Sequence, residues 1–206
     1  MKLTIIGDVH GKVERYKEIT DNCDFSICVG DFGFEKEWMN VYEYFNELQL
    51  NSQIYQSHWI NMGNHDFIPL LMSEYSLKNF TWFKNEKIFT VRGAESIDRH
   101  LRAEGIDWFA NEELNYQEQL EAFDWYCKVK PQIVISHDCP QIALETMFKM
   151  GWTYGKSQTR TMLEMMFREH KPELWVFGHH HFSCEQNILG TRFVCLDELE
   201  TLTIEL

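Results

Sequence analysis

Nearly every apolar run in this chain ends in glycine or serine followed at once by Asp, Asn or His. That repeated junction restricts the fold more than any other feature. A short apolar run bounded by turn residues fits a strand buried on both faces. A polar residue placed just past it stands at the strand's carboxyl end, where open α/β sheets bind their ligands. Five junctions follow in order: Gly7-Asp8-Val9-His10-Gly11, Gly30-Asp31-Phe32-Gly33, Gly63-Asn64-His65-Asp66, Ser136-His137-Asp138 and Gly178-His179-His180-His181. Polar residues delivered from several strands in this way can converge on one spot.

The segments between the junctions alternate in the α/β manner. Strands are predicted over Lys2–Gly7, Asp24–Gly30, Gln53–Asn61, Ile88–Val91, Gln132–Ser136, Leu174–Phe177 and Arg192–Leu196, with Leu202–Leu206 pairing at a sheet edge. Helices are predicted over Lys12–Thr20, Glu35–Leu50, Tyr116–Lys128, Gln141–Lys149 and Gln158–His170. In the last of these, Met162, Met165, Met166 and Phe167 read as a buried face rather than a cofactor box. No repeat, low-complexity tract or Pro/Gly/Ser-rich linker interrupts the 206 residues, so one domain spanning 1–206 is expected.

Charge and cysteine usage narrow the setting. With 32 acidic and 19 basic side chains the formal charge is −13, which opposes a grip on long nucleic acid. The six cysteines form no CxxC pair and read as reduced thiols rather than a disulfide framework or a zinc knuckle. The opening Met1-Lys2-Leu3-Thr4-Ile5-Ile6 is too short an apolar run for a signal peptide. No stretch approaches the ~20 apolar residues of a membrane span. A cytoplasmic location without a membrane partner is the expectation; the sequence carries no signal of oligomeric state.

The junction side chains are carboxylate, imidazole and amide, with no thiolate. Such donors suit Mn²⁺, Fe, Zn²⁺ or Ni²⁺. In extended chain, residues i and i+2 point the same way, so Asp8 pairs with His10, and His179 with His181, leaving His180 turned away. Asp31 alone could bridge two ions ~3.5–4 Å apart, the separation of two-metal hydrolytic sites.

Taken together, and in this order from Asp8 to His181, the five blocks resemble those of the calcineurin-like metallophosphoesterase family. The resemblance implies an α/β (α+β) fold, a four-layer αββα sandwich of two mixed β-sheets flanked by helices. It implies that Asp8, His10 and His181 hold one metal, that Asn64, His137 and His179 hold a second, and that Asp31 bridges the pair. His65 would face the leaving-group oxygen instead of binding metal. The implied activity is hydrolysis of a phosphate ester, as a phosphatase or phosphoesterase. Its nucleophile would be a hydroxide shared by two divalent cations, Mn²⁺ first with Fe, Zn²⁺ or Ni²⁺ as alternatives, and His65 would be the general acid. The substrate expected is a small phosphate ester or a nucleotide-like molecule. Asp66, next in sequence, is expected to cap the following helix.

Departures from the family pattern bear on the substrate. In the protein-phosphatase branch an Asp and an Arg follow shortly after the bridging Asp; here Phe34 and Glu35 stand in those places, which argues against a Ser/Thr protein phosphatase. The stretch from Arg92 to Arg102 resembles one found in some small bacterial and phage members. Its Arg99, His100 and Arg102, together with Asn64, are candidate substrate-binding groups; the competing reading is a solvated charged turn. Trp108 and Phe109 read as core. Gly151 to Ser157 approximates a P-loop, but Met150 replaces its first Gly and a helix precedes it, so it reads as a turn. Two other functions stay open: a phosphodiesterase acting on cyclic nucleotides or nucleic acid ends, and a catalytically silent binding scaffold. The presence of all seven ligand types and His65 opposes the scaffold.

Overall fold

The computed structural model describes residues 2–33, 57–66, 76–106, 108–148 and 157–206. Among them, one sheet consists of β1 (Lys2–Ile6), β2 (Ser26–Cys28), β3 (His58–Ile60) and the final strand β10 (Thr201–Glu205), in the order β10-β1-β2-β3. β1, β2 and β3 run parallel, and β10 closes the edge antiparallel to β1, with Ile6 opposite Thr201. The second sheet contains β4 (Phe80–Phe83), β5 (Ile88–Val91), β6 (Ile133–Ser136), β7 (Leu174–Phe177), β8 (Cys184–Ile188) and β9 (Thr191–Cys195), in the order β4-β5-β6-β7-β9-β8. Its four inner strands are parallel and both edge strands antiparallel. Four helices are described: α1 (Val13–Thr20), α2 (Tyr116–Val129), α3 (Gln141–Phe148) and α4 (Gln158–Glu169).

The period-2 alternation of each strand sorts its side chains between layers. Leu3 and Ile5 of β1, Ile27 of β2, Ile135 of β6 and Val176 of β7 meet in a core between the two sheets. The alternate residues face outward. Ile6 and Cys28 pack with Tyr16 of α1, and Phe89, Val134, Trp175, Phe177 and Phe193 pack under α2, α3 and α4. Both faces of the inner strands are therefore dry, which is why their sequences read as unbroken apolar runs. The layers run helix, sheet, sheet, helix: the expected αββα sandwich.

Local signals set the helix limits. At the start of α2 the Asn115 side chain accepts from Glu118 N–H at 3.1 Å while the Glu118 carboxylate accepts from Asn115 N–H at 2.8 Å. Ser157 caps α4 by accepting from Arg160 N–H at 3.0 Å. Ser157 is thus the only described residue of the P-loop-like segment, and its hydroxyl ends there as a helix cap. Met162, Met166 and Phe167 are buried on α4, but Met165 points the other way and is 50% exposed, a correction to the expected face. The predicted helix over Glu35–Leu50 and the first part of the Gln53–Asn61 strand lie outside the described residues.

Two strands escape the sequence pattern. β4 carries no polar junction, and β8 (Cys-Glu-Gln-Asn-Ile) is too polar to read as a strand. β8 forms because Leu189 (φ 52°) and Gly190 (φ 93°) make a tight hairpin turn that folds it against β9.

One buried amide ties the sheets together beside the functional edge. Asn61 Nδ2 donates to Val29 O at 3.1 Å beyond β2 and to Val91 O at 2.8 Å on β5. Deeper in, Trp175 is fully buried, stacks on Phe193 with ring centroids 5.6 Å apart, and donates its indole N–H to Ser136 Oγ at 2.8 Å. Trp175→Ala is expected to cost about 3–5 kcal/mol of stability, read as a lower denaturant midpoint at unchanged slope.

Candidate metal centre

The loops that follow β1, β2, β3, β6 and β7 meet at one edge of the sandwich. Val9 and His10 donate their N–H groups to Asp31 O at 3.1 and 2.8 Å, and Gly11 donates to Phe32 O at 2.9 Å. The buried Asp66 carboxylate accepts from Phe32, Gly33 and Gly63 N–H at 3.1, 3.0 and 2.9 Å. Asp66 therefore locks the second and third loops together; the helix it was expected to cap lies outside the described residues. Gly178 N–H reaches His137 O at 3.1 Å, and His179 N–H reaches Asp8 Oδ2 at 2.8 Å. The approach is close enough to demand glycine. A Cβ on Gly63 would overlap Asp31 and His137, and one on Gly178 would overlap Asp8.

Two ligand-capable groups result, and they share one residue. Asp8, His10, Asp31 and His181 offer donor atoms all within 4.8 Å of one another, as do Asp31, His137 and His179. In the first group His10 Nε2 lies 2.9 Å from His181 Nε2, and His181 Nε2 lies 3.4 Å from Asp8 Oδ2. In the second, His137 Nε2 lies 3.3 Å from Asp31 Oδ1 and 3.0 Å from Asn64 Oδ1, which adds the amide oxygen to the set. All seven residues expected as ligands are thus brought together.

The backbone delivers them differently from the extended alternation expected. His10 (φ 46°), Asp31 (φ 45°), His179 (φ 67°) and His181 (φ 47°) all adopt the left-handed conformation. Each such non-glycine residue costs of order 1–3 kcal/mol, and this kind of strain concentrates at functional sites.

These residues fit divalent cations on three counts. Asp8 Oδ1, Asp31 Oδ2 and His137 Nδ1 are buried with no hydrogen-bond partner among the described residues; a buried polar atom so left is costly. Two imidazole nitrogens bound to one ion at ~2.1 Å and at right angles would lie ~3 Å apart, close to the His10–His181 spacing. The protonation pattern is also that of a site built for positive charge. Burial would raise the Asp31 carboxyl, but the His137, His65 and His10 rings hold it well below the carboxylate range. Burial would lower the His137 ring, but Asp31, Asp8 and Asp66 push it up to about 9. His179, by contrast, is driven down by its burial.

His65 stands beside the groups, outside both of them. Its N–H donates to Asp31 Oδ1 at 2.9 Å. Its ring Nδ1 lies 3.1 Å from Arg102 Nη1. A guanidinium only donates; its Nη2 also lies 3.5 Å from the ring Nε2, and the shorter contact assigns Nδ1 as the acceptor, which in the neutral ring leaves the proton on Nε2. Arg102 is itself held by Asp98 through two bonds of 2.8 Å, a forked pair. Arg102 and Asn64 line a cleft of about 690 Å³ over the centre. The other groups expected to meet substrate are elsewhere. Arg99 is exposed on the 3₁₀ turn Arg99–Leu101 with Glu95 3.7 Å away, and neither it nor the exposed His100 lines that cleft. Arg92 is buried and structural, donating to Asn79 and to Asn111 O. Phe109 is buried, as expected for core.

Three participants have no signature in the sequence. Asn64 Nδ2 donates to Ser96 Oγ at 2.9 Å, and Ser96 Oγ donates to the buried Glu112 at 2.5 Å. This chain turns the Asn64 amide so that its oxygen, not its nitrogen, faces His137. On the far side His180, expected to turn away, packs inward with Nε2 3.3 Å from Asp138 Oδ1. Asp138, Cys139 and His180 also form a ligand-capable group. Here, however, Arg160 Nη2 sits 3.0 Å from Asp138 Oδ2 and supplies the counter-charge a cation would bring. Burial would raise the Asp138 carboxyl; Arg160 and His180 hold it well below the carboxylate range.

The family described as calcineurin-like phosphoesterase matches residues 1–183. No curated protein matches. Among solved structures, a candidate 5′-nucleotidase of Staphylococcus aureus superposes with TM-score 0.56 at 13% identity, over 99% of this chain and 50% of its own. This chain thus spans about half the length of that protein. A dimetal phosphatase from Danio rerio gives TM-score 0.56 at 11% identity over 97% of this chain and 88% of its own. Protein TT1561 of Thermus thermophilus gives 0.55 at 12% over 98% and 97%. At these identities the likeness is one of fold.

Ser96→Ala is expected to weaken divalent-cation binding by about 10–100-fold, read by calorimetric titration of metal-stripped protein. Arg160→Met leaves the Asp138 carboxylate buried without its cation and should cost about 3–5 kcal/mol at pH 7. Because folding depresses the Asp138 pKa, its contribution is full above the unfolded value of ~3.9 and is lost as pH falls below it. The deficit of the variant should therefore shrink as unfolding is measured from pH 7 down into the acid range.

Proposed function

Because this chain belongs to the calcineurin-like phosphoesterase family, and is thus a metal-dependent phosphoric ester hydrolase, we propose that it hydrolyses a small phosphate ester at a two-cation centre. Asp8, His10, Asp31 and His181 would hold one ion, and Asp31, Asn64, His137 and His179 the second. The observation that carries this reading is the single buried Asp31 carboxylate shared by both ligand-capable groups. Mn²⁺ is the first choice of metal, and the same oxygen and nitrogen donors accept Fe, Zn²⁺ or Ni²⁺.

When bound, two divalent cations supply Lewis-acid charge at the phosphate and a water ionised near neutral pH. The chain's own residues do the rest. Asp31 and His137 set the spacing of the two ligand groups. Asn64, turned by Ser96 and Glu112, fixes the edge nearest the cleft. His65 carries its ring proton on Nε2 and donates it toward the departing ester oxygen. Arg102, held by Asp98 and donating to the His65 ring, stands at the cleft as the candidate phosphate contact. The formal charge of −13 supports a small or nucleotide-like substrate over long nucleic acid.

A phosphodiester is the second reading, on one observation. Among the described residues, both guanidinium groups that line the cleft, Arg102 and Arg160, already bind a carboxylate, Asp98 and Asp138. The cleft therefore offers less net positive charge than a dianionic monoester would recruit.

The test uses metal-stripped protein with Mn²⁺ restored, assayed on p-nitrophenyl phosphate and bis(p-nitrophenyl) phosphate. Turnover should require metal and fall to background in Asp31→Asn. His65→Ala should lower kcat by about 100-fold or more on an alkyl ester, and by less on the nitrophenyl esters, whose leaving group needs no proton. The ratio of the two nitrophenyl rates chooses between monoester and diester. Metal-loaded, folded protein that turns over neither would contradict the proposal.

A further inference from the structure

The cleft has an arm that neither the ligand groups nor His65 uses. Its wall is built by Leu144, Met147 and Phe148 of α3 together with His180 and Phe182 of the loop after β7. Phe182 comes directly after the ligand-capable His181, yet it is 55% exposed and rests its ring against Phe148, centroids 5.9 Å apart at 59°. Phe148 also meets the His180 ring at 4.9 Å and 50°. Beneath them Phe177 of β7 meets His180 at 5.9 Å and 81°. Four rings thus form one tilted cluster, and the Phe182 face is open to the cleft. An exposed phenylalanine on a single loop explains nothing; an aromatic corner opening onto a phosphoesterase centre is a binding wall.

The same wall has one polar element, and it is rigid. The His180 ring is anchored through Nε2, 3.3 Å from Asp138 Oδ1. Asp138 is clamped in turn by Arg160 at 3.0 Å and by Cys139 N–H at 2.8 Å. With one nitrogen committed inward, the other edge of the ring is left to meet a ligand. Tilted rings at these separations accept a further flat ring edge-to-face on one member and offset-stacked on the next, which a saturated alkyl group cannot reproduce.

We infer that this arm binds the organic part of the substrate, and that this part carries a flat aromatic ring, either a simple aryl group or a nucleobase, with a polar edge toward His180. The inference rests on the phosphoesterase reading for where the phosphate lies, and on Phe148, His180 and Phe182 alone for what lies beside it. Phe182 and Phe148 are specificity-determining contacts here, while Asp138 and Arg160 are positioning residues that act through His180.

The test separates the two readings by measuring binding and turnover on the same Mn²⁺-loaded full chain. Phenylphosphonate and methylphosphonate, which share the anion and differ in the ring, are titrated calorimetrically into wild type, Phe182→Ala and Phe148→Ala, beside turnover of p-nitrophenyl phosphate. Wild type should bind the phenyl compound about tenfold tighter or more. In Phe182→Ala, whose exposed side chain can be removed without touching the core, that preference should fall below about threefold; Phe148→Ala should follow it. Equal affinity of wild type for the two phosphonates overturns the inference, as does an undiminished phenyl preference in both variants. An intact ring preference without turnover of any ester supports the arm and overturns the hydrolase proposal instead. Adding adenosine monophosphate beside phenylphosphonate decides between the two ring sources: a nucleobase is indicated if it binds tighter, an aryl group if it binds more weakly.

Discussion

The backbone carbonyl of Asp31 accepts from two N–H groups of the loop after β1, and one of its carboxylate oxygens accepts from His65 N–H. A buried imidazole, His137, lies 3.3 Å from that same oxygen, and the other oxygen has no hydrogen-bond partner among the described residues. Four of the five loops thus depend on one residue, held in a left-handed conformation. Removing its carboxylate would leave two groups of histidines facing each other without the carboxylate they share, while the backbone bonds that fasten the first loop to the second would remain. The fifth loop joins through Asp8, whose Oδ2 accepts from His179 N–H.

This arrangement is unfavourable by every local measure. It places three carboxylates, of Asp8, Asp31 and Asp66, at almost zero exposure within one sandwich edge. It adds left-handed backbone at four non-glycine positions and leaves buried polar atoms without a hydrogen-bond partner among the described residues. What offsets these costs is the remainder of the sandwich: a dry core between the sheets and a larger aromatic core under α2, α3 and α4. Cations would offset them further, by satisfying the atoms that protein groups leave open. Stability and function therefore pull in opposite directions at this edge, as they do wherever strain is kept at a site.

The inner strands were legible because burial on both faces writes them as unbroken apolar runs. β5 and β7 occupy the very residues expected, Ile88–Val91 and Leu174–Phe177. The junction residues were legible for the same reason, since each marks where a strand stops being apolar. The geometry beyond them was not. Alternation along an extended chain sends His180 away from its neighbours, but left-handed turns at His179 and His181 send it inward to Asp138. Glu112 reaches Asn64 only through Ser96, across gaps of 16 and 32 residues that no periodicity spans. Of the arginines in the Arg92–Arg102 stretch, burial assigned one to the frame and solvent claimed another, leaving Arg102 at His65. β8 became a strand because the turn after it imposed a partner, not because of its own composition.

The central claim is that one carboxylate serves two cations. The most direct measurement is a Mn²⁺ titration of metal-stripped protein followed by electron paramagnetic resonance. The account predicts two Mn²⁺ per chain, with the spectrum of an exchange-coupled pair that disappears in Asp31→Asn. One Mn²⁺ per chain, or two that give the spectrum of isolated ions, would contradict it.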